Sequence, residues 1–274
     1  MYSPSLEGVA KRVEITKATI EIALGIKILG KPFFSSVQVM VWTDKRFNSD
    51  CGETLPLLKS LYRSEKRVRI AEHAHGDDFS SILNRAVSLQ LGQGITHSFI
   101  WSSEAESYLN ELNLEKMTIA FARKAKVTGL AIKELYDTVM DGQIANTAAA
   151  WENVELLAVG GFPMIAARKP NSEYTSKIKS FDNQGVLHYD FHGVEEILPL
   201  IHFVETFDQE VIAPIPTDSG IYSLEGLTEE RVRQHYAKMM SKQDRKIMHA
   251  ATVGCSLSYL KRGIMSINWE EYGY

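Results

Sequence analysis

The sequence predicts an α/β domain built around a largely parallel sheet. Short runs rich in β-branched residues alternate along the chain with stretches that have helical periodicity. No fixed-period repeat, low-complexity tract or Pro/Ser-rich linker divides the 274 residues. The composition, with 45% hydrophobic and 23% charged residues, is that of a globular protein rather than a disordered one. A chain of this length forms one large domain, or one domain with an appendage.

The elements of the first half follow in order from local patterns. Apolar residues between Ile15 and Leu29 fit both the strand and the helix period, and the length of the run favours a helix. Asp50 and Glu53 form a capping-box pattern and Asp78 is a suitable N-cap, so we expect a helix after each of them. The strands expected in this half cover residues 37–42, 68–71 and 95–101. This alternation predicts parallel strands joined by right-handed crossovers.

The second half is less regular. Residues 116–122 and 126–132 fit either a strand or a short helix. A short helix is expected to end at the glycine pair 160–161, and a polar, mobile loop is expected over 172–184. The remaining expected elements are a helix opened by residues 192–196, a strand over 211–215, and helical structure over 228–261 with a break near 242–244.

Charge and cysteine content exclude several functional classes. The net charge of −4 and the pI of about 6.1 do not indicate a nucleic-acid partner. Cys51 and Cys255 are too few for a disulfide-stapled scaffold and are simplest as free thiols in a reducing compartment. The N-terminus lacks the pattern of a secretory signal, and the most apolar run, 18–29, is too short for a membrane span. We therefore expect a soluble, cytoplasmic protein.

Polar residues follow each of the first three predicted strands. They are Thr43 and Asp44, the segment 73–78, and the segment 102–104. Ligands in open α/β sheets bind at the carboxyl ends of the strands. These segments are therefore candidates for a binding site, although solvated loops with helix caps would look the same.

Several segments, taken in order, resemble one enzyme family. A strand ends in Thr43-Asp44, a helix carries Asn84-Arg85-Ala86, and a turn reads Val159-Gly160-Gly161-Phe162. The segment His192-Gly193-Val194-Glu195-Glu196 then precedes a strand at 211–216. Over about residues 10–216 this order resembles the inverting family-2 glycosyltransferases with the GT-A fold. That family has an Asp-Asp-Gly-Ser type loop, a Val-Gly-Gly-Phe turn and a Gly-x-Glu-Asp segment at the corresponding places.

The resemblance implies both a fold and an activity. It implies a GT-A-like, mixed and mostly parallel sheet flanked by helices in residues 1–216, with a helical C-terminal appendage in residues 217–274. The implied reaction moves a sugar from a UDP- or GDP-linked donor to a hydroxyl group of an unknown acceptor. In this mapping Glu196 is the general base and Glu195 is its supporting acid. No nucleic acid and no membrane span belong to this picture.

The same resemblance assigns the residues that would bind the donor. Thr43, Asp44 and Asp78 would line the nucleotide pocket, although Asp78 stands where a basic residue commonly meets the phosphates. Ser103 and Glu104 would lie near the diphosphate.

The metal-binding Asp-x-Asp motif of the family is degenerate in this chain. Trp101 and Ser103 fall where the aspartates would stand, and Glu104 is the nearby acid. Three interpretations follow. In the first, a basic side chain or a helix N-terminus replaces the metal. In the second, Mg²⁺ or Mn²⁺ binds through Glu104 and a partner such as His192. In the third, the chain is a GT-A-like ligand-binding or scaffolding protein without transferase activity.

Overall fold

The computed structural model describes residues 6–43, 51–73, 79–101, 110–132, 144–145, 148–163, 179–181, 187–189, 194–217 and 242–274, together with Glu229 and Arg233. The helices are α1 (Leu6–Gly25), α2 (Cys51–Leu61), α3 (Phe79–Leu91), α4 (Glu111–Ala122), α5 (Asn153–Ala158), α6 (Ile197–Phe207) and α7 (Lys242–Ala251). Two 3-10 helices, Leu257–Gly263 and Trp269–Tyr272, follow near the C-terminus. The strands are β1 (Lys27–Ile28), β2 (Lys31–Pro32), β3 (Val37–Trp42), β4 (Val68–His73), β5 (His97–Trp101), β6 (Val127–Ile132), β7 (Ala148–Glu152), β8 (Lys179–Phe181), β9 (Leu187–Tyr189) and β10 (Ile212–Thr217).

The described strands form mixed sheets, and the α/β class is confirmed. The expectation of mostly parallel strands is wrong for the largest sheet, where two of the three strand pairings are antiparallel. The largest sheet has the order β10-β6-β7-β5, in which β10 and β6 are parallel and β7 is antiparallel to both of its neighbours. Strands β3 and β4 form a separate parallel pair. The hairpins β1-β2 and β8-β9 are antiparallel.

Several expectations from local patterns are met and others are corrected. The run from Ile15 to Leu29 lies in α1 as far as Gly25, but its last residues were wrongly expected to be helical and include strand β1. Residues 116–122 belong to α4, and residues 126–132 supply a strand. Helix α4 begins after Asn110, whose side chain accepts a hydrogen bond from the Asn113 N–H. The expected loop over 172–184 contains strand β8, while residues 172–178 and 182–184 lie outside the described residues. Helix α6 begins at Ile197, so the two glutamates at 195 and 196 form the turn before it rather than its first turn.

One large core joins the sheet to helices from both halves of the chain. Its buried side chains come from α3, β7, α5, α6 and β10, and also from the C-terminal residues Ala250, Leu257 and Leu260. Helix α7 and the 3-10 helix Leu257–Gly263 both pack against α6. Residues of the segment expected as an appendage therefore share their core with residues 79–212.

Strand β10 lies at one edge of the four-stranded sheet. The Val211 carbonyl accepts hydrogen bonds from the backbone of β6 and its preceding residue, whereas the Ile212 carbonyl faces the other way and accepts from the Met265 N–H at 2.7 Å. Because successive backbone groups of a strand alternate in direction, Pro214 and Pro216 share the outer side with Ile212.

A cavity of about 730 Å³ lies between β3 and β5. It is lined mostly by apolar side chains of these strands and of α1, α3 and α4. Neither Thr43 nor the glutamate pair at 195 and 196 contributes to its lining. Within the described part of the chain, no helix combines the length and apolarity that crossing a membrane requires.

Candidate functional site

The carboxyl ends of β3 and β4 carry a small polar network. Trp42 pairs with His73, so the two strands end side by side. Thr43 donates its backbone N–H to the His73 carbonyl at 3.0 Å and its hydroxyl to Glu72 Oε1 at 2.6 Å. His73 is buried, and its Nε2 lies 3.0 Å from the Ser81 hydroxyl on α3. Two strand ends and one helix start are thus brought together.

Two of the expected nucleotide-binding residues cannot be placed in this network. Asp44 and Asp78 lie outside the described residues, as do Ser103, Glu104 and His192. The structure therefore locates Thr43, Glu195 and Glu196 among the residues that the resemblance assigns to the site.

Two segments that carry the resemblance meet directly, although they are 78 residues apart in the chain. The Asn84 side chain on α3 donates through Nδ2 to the Phe162 carbonyl at 2.8 Å and accepts through Oδ1 from the Phe162 N–H at 2.8 Å. Gly161 has φ of +69°, and a Cβ there would lie 2.5 Å from Asn84 Oδ1. A glycine is required both by the left-handed backbone and by the close approach of the amide.

The aromatic residues behind this turn connect it to the acid turn. Phe162 and Trp151 are fully buried and meet edge to face, with ring centroids 5.2 Å apart. Val194 belongs to the same core cluster as both rings. The turn at 159–162 and the turn at 194–196 are therefore held by one body of packed side chains.

Glu196, the expected general base, is completely buried. Its carboxylate Oε1 lies 3.2 Å from Lys246 Nζ on α7, and both side chains have no exposed surface. The contact lacks the alignment of a hydrogen bond, and neither carboxylate oxygen has another hydrogen-bond donor among the described residues. Glu195 is also buried, with 3% of its surface exposed. An acid pair that the sequence suggested as a helix-terminal feature is thus enclosed by the protein.

His249 fixes the same turn from one helical turn further along α7. Its Nδ1 lies 3.1 Å from the Val194 carbonyl, which a neutral ring protonated at Nδ1 can reach as a donor. Burial lowers the pKa of His249, while the hydrogen bond to Val194 and the charge of Glu196 act in the opposite direction. The neutral ring is therefore the favoured form in the folded protein.

Lys246, His249 and the buried Arg245 were not singled out from the sequence. They share one face of α7, while the intervening Ile247 is 50% exposed. The sequence shows that these basic residues fall on one side of a helix and Ile247 on another, which is a signal that could have been noticed. The turn that Lys246 and His249 contact lies about 50 residues earlier in the chain and could not have been identified from local periodicity.

The described residues do not supply the side-chain ligands that a divalent cation needs. Among them, no group of three His, Cys, Asp or Glu side chains is arranged to hold a metal ion. Glu104 and His192, which the sequence suggested as ligands, lie outside the described residues. No chemical step is therefore assigned to Mg²⁺ or Mn²⁺.

The described fold and site define an α/β protein with a mixed sheet and an enclosed turn of two acids. Comparison with known protein families, with curated proteins and with solved structures finds no match.

Proposed function

We propose that this chain is a GT-A-like glycosyltransferase over about residues 1–216, which moves a sugar from a UDP- or GDP-linked donor to an acceptor hydroxyl. The main support is the direct link between Asn84 and Phe162. Segments that resemble the family in sequence meet in space, and the turn that carries Glu196 packs on the same core.

Glu196 is the proposed general base. A carboxylate in hydrogen-bond reach of the acceptor hydroxyl takes its proton as the oxygen attacks the anomeric carbon, and the nucleoside diphosphate leaves from the opposite side. The departing diphosphate needs positive compensation. We propose that a basic side chain or a helix N-terminus takes this role in place of a metal, in a protein of the reducing cytoplasm.

One observation favours a second candidate, a GT-A-like protein that binds a ligand without transferring sugar. The Glu196 carboxylate has no exposed surface and is paired with Lys246. A base must come within about 2.6–3.2 Å of the proton that it abstracts. An acid that stays enclosed serves the fold rather than catalysis.

Nucleotide binding separates these cases first. Thermal shift titrations of the full chain with UDP, GDP and their sugars, with and without Mn²⁺, should show saturable stabilisation by one nucleotide without a requirement for metal. Stabilisation by none of them would overturn the transferase proposal. Stabilisation by a nucleotide without measurable transfer to any hydroxyl acceptor would favour the second candidate.

A matched pair of variants then tests the base. Glu196→Gln should lower kcat for transfer by about 100-fold or more and leave the nucleotide-dependent thermal shift intact. Glu210→Gln, at an exposed glutamate before β10, is the control and should retain wild-type turnover. Unchanged turnover in Glu196→Gln would remove this residue as the base.

A further inference from the structure

The inner face of helix α7 carries two basic side chains and a histidine where an apolar stripe would be expected. Arg245, Lys246 and His249 are all at least 96% buried, and Ala250 completes this face. A helix normally docks through an apolar stripe and leaves its charges in water. Helix α7 instead places the ammonium group of Lys246 and the ring of His249 against the turn that contains the two buried glutamates.

This contact has a particular energetic character. Lys246 and Glu196 lose their hydration when α7 docks, and their attraction in the interior largely offsets that loss rather than exceeding it. When the helix moves away, both groups regain water. A helix whose contact includes a buried ion pair of little net stability is therefore easier to release than one held by a comparable apolar area alone. Elements of low local stability open before the rest of the fold.

A glycine after the C-terminal end of α7 is a candidate hinge. Gly254, with φ of +75°, lies three residues after the helix ends. Beyond it, Leu257 and Leu260 anchor the 3-10 helix in the main core. A rotation of the backbone at Gly254 would let α7 move while the 3-10 helix that follows stays packed in the core.

We infer that α7 is a movable cover over Glu196 and that Lys246 is the residue that holds the cover closed. The inference about the helix comes from its buried charges; its role in catalysis rests on the proposed function. In the closed state the ammonium group occupies the space beside the carboxylate that an acceptor hydroxyl would need. Opening of α7 exposes the base and admits the acceptor.

Hydrogen–deuterium exchange of the full chain, read by mass spectrometry, tests the cover without any assay of activity. In the wild-type protein, amides of α7 should exchange about tenfold or more faster than those of α6, after correction for intrinsic rates. In Lys246→Met, exchange of α7 should rise about tenfold further, while β6, β7 and residues 257–263 keep their wild-type rates.

Two further variants serve as comparisons. Lys246→Arg keeps the positive charge beside Glu196 and should raise the exchange of α7 clearly less than Lys246→Met does. Lys59→Met removes an exposed lysine from the outer part of another helix, α2, and should leave the exchange of α7 unchanged.

The outcomes distinguish the cover from the base. Equal protection of α7 and α6 in the wild-type protein would overturn the cover, and this result needs no variant to fold. If Lys246→Met raised the exchange rates of all elements equally, Lys246 would be a contact that stabilises the whole core, and the cover would be overturned. If α7 opens as expected but Glu196→Gln keeps full turnover, the cover stands and the assignment of the base fails.

Discussion

Alanine in place of Gly161 would test the contact that joins the two turns of the proposed site. The new Cβ would lie 2.5 Å from Oδ1 and 3.1 Å from Cγ of Asn84, in a backbone with φ of +69°. The amide side chain can relieve this overlap only by moving away. Both of its hydrogen bonds to Phe162 would then be lost.

The expected cost can be built from two parts. An alanine held in the left-handed region costs about 1–2 kcal/mol. Loss of two hydrogen bonds adds about 1 kcal/mol each, so the free energy of unfolding should fall by about 3–4 kcal/mol. Gly160 is the control: its φ is +98° but nothing lies within 4 Å of a Cβ, so Gly160→Ala should cost only the backbone part, about 1–2 kcal/mol.

Urea unfolding followed by tryptophan fluorescence provides the measurement, since Trp151 packs on the ring of Phe162. A double variant sharpens the test. In an Asn84→Ala background the overlap is absent, so adding Gly161→Ala should cost only about 1–2 kcal/mol, which gives a coupling of about 2 kcal/mol. The reasoning is refuted if Gly161→Ala and Gly160→Ala cost the same, or if the cost of Gly161→Ala does not change when Asn84 is replaced.

Two further predictions concern pH dependence and packing. Burial lowers the pKa of His249 in the folded protein below the ordinary value of 6.5, so its contribution to stability is present above that value and is lost as the pH falls through the folded pKa. The urea-derived stability of the wild-type protein should therefore decrease more between about pH 7 and 5 than that of His249→Asn, whose amide can still donate to Val194; parallel curves would contradict the assignment. In β6, Gly129→Ala would place a Cβ 2.9 Å from Ala149 Cβ and should lower the free energy of unfolding by about 1–3 kcal/mol. Gly25→Ala, with open space around it at the end of α1, should be neutral in the same urea unfolding experiment, and equal losses in the two variants would show that overlap is not the cause.

The elements that the sequence predicted well are those with strong local signals. β-Branched runs identified β3, β4 and β10, and the glycine pair 160–161 marked the end of the short helix α5. Strand β7 was missed because it is built from three alanines, a residue with low strand propensity. Small side chains are needed there because Ala149 lies against Gly129 of the neighbouring strand. This need for small side chains arises from tertiary packing, so it cannot be predicted from local strand propensity.

The site shows the same division. The turn containing Gly161 and the acid turn were found because their spacing resembles a known family. Lys246 was not found, because its significance depends on a contact with Glu196 across 50 positions of the chain. Burial of the acid pair was also unexpected, since two adjacent glutamates before a helix are ordinarily explained by the helix dipole alone.

The outer edge of β10 bears on how copies of this chain behave at high concentration. Exposed strand edges offer free N–H and C=O groups, which can pair with another molecule and start aggregation. On this edge the carbonyl of Ile212 is already bonded to Met265, and Pro214 and Pro216 have no N–H to offer. The four-stranded sheet is therefore closed to extension on this side, so self-association through β10 is disfavoured.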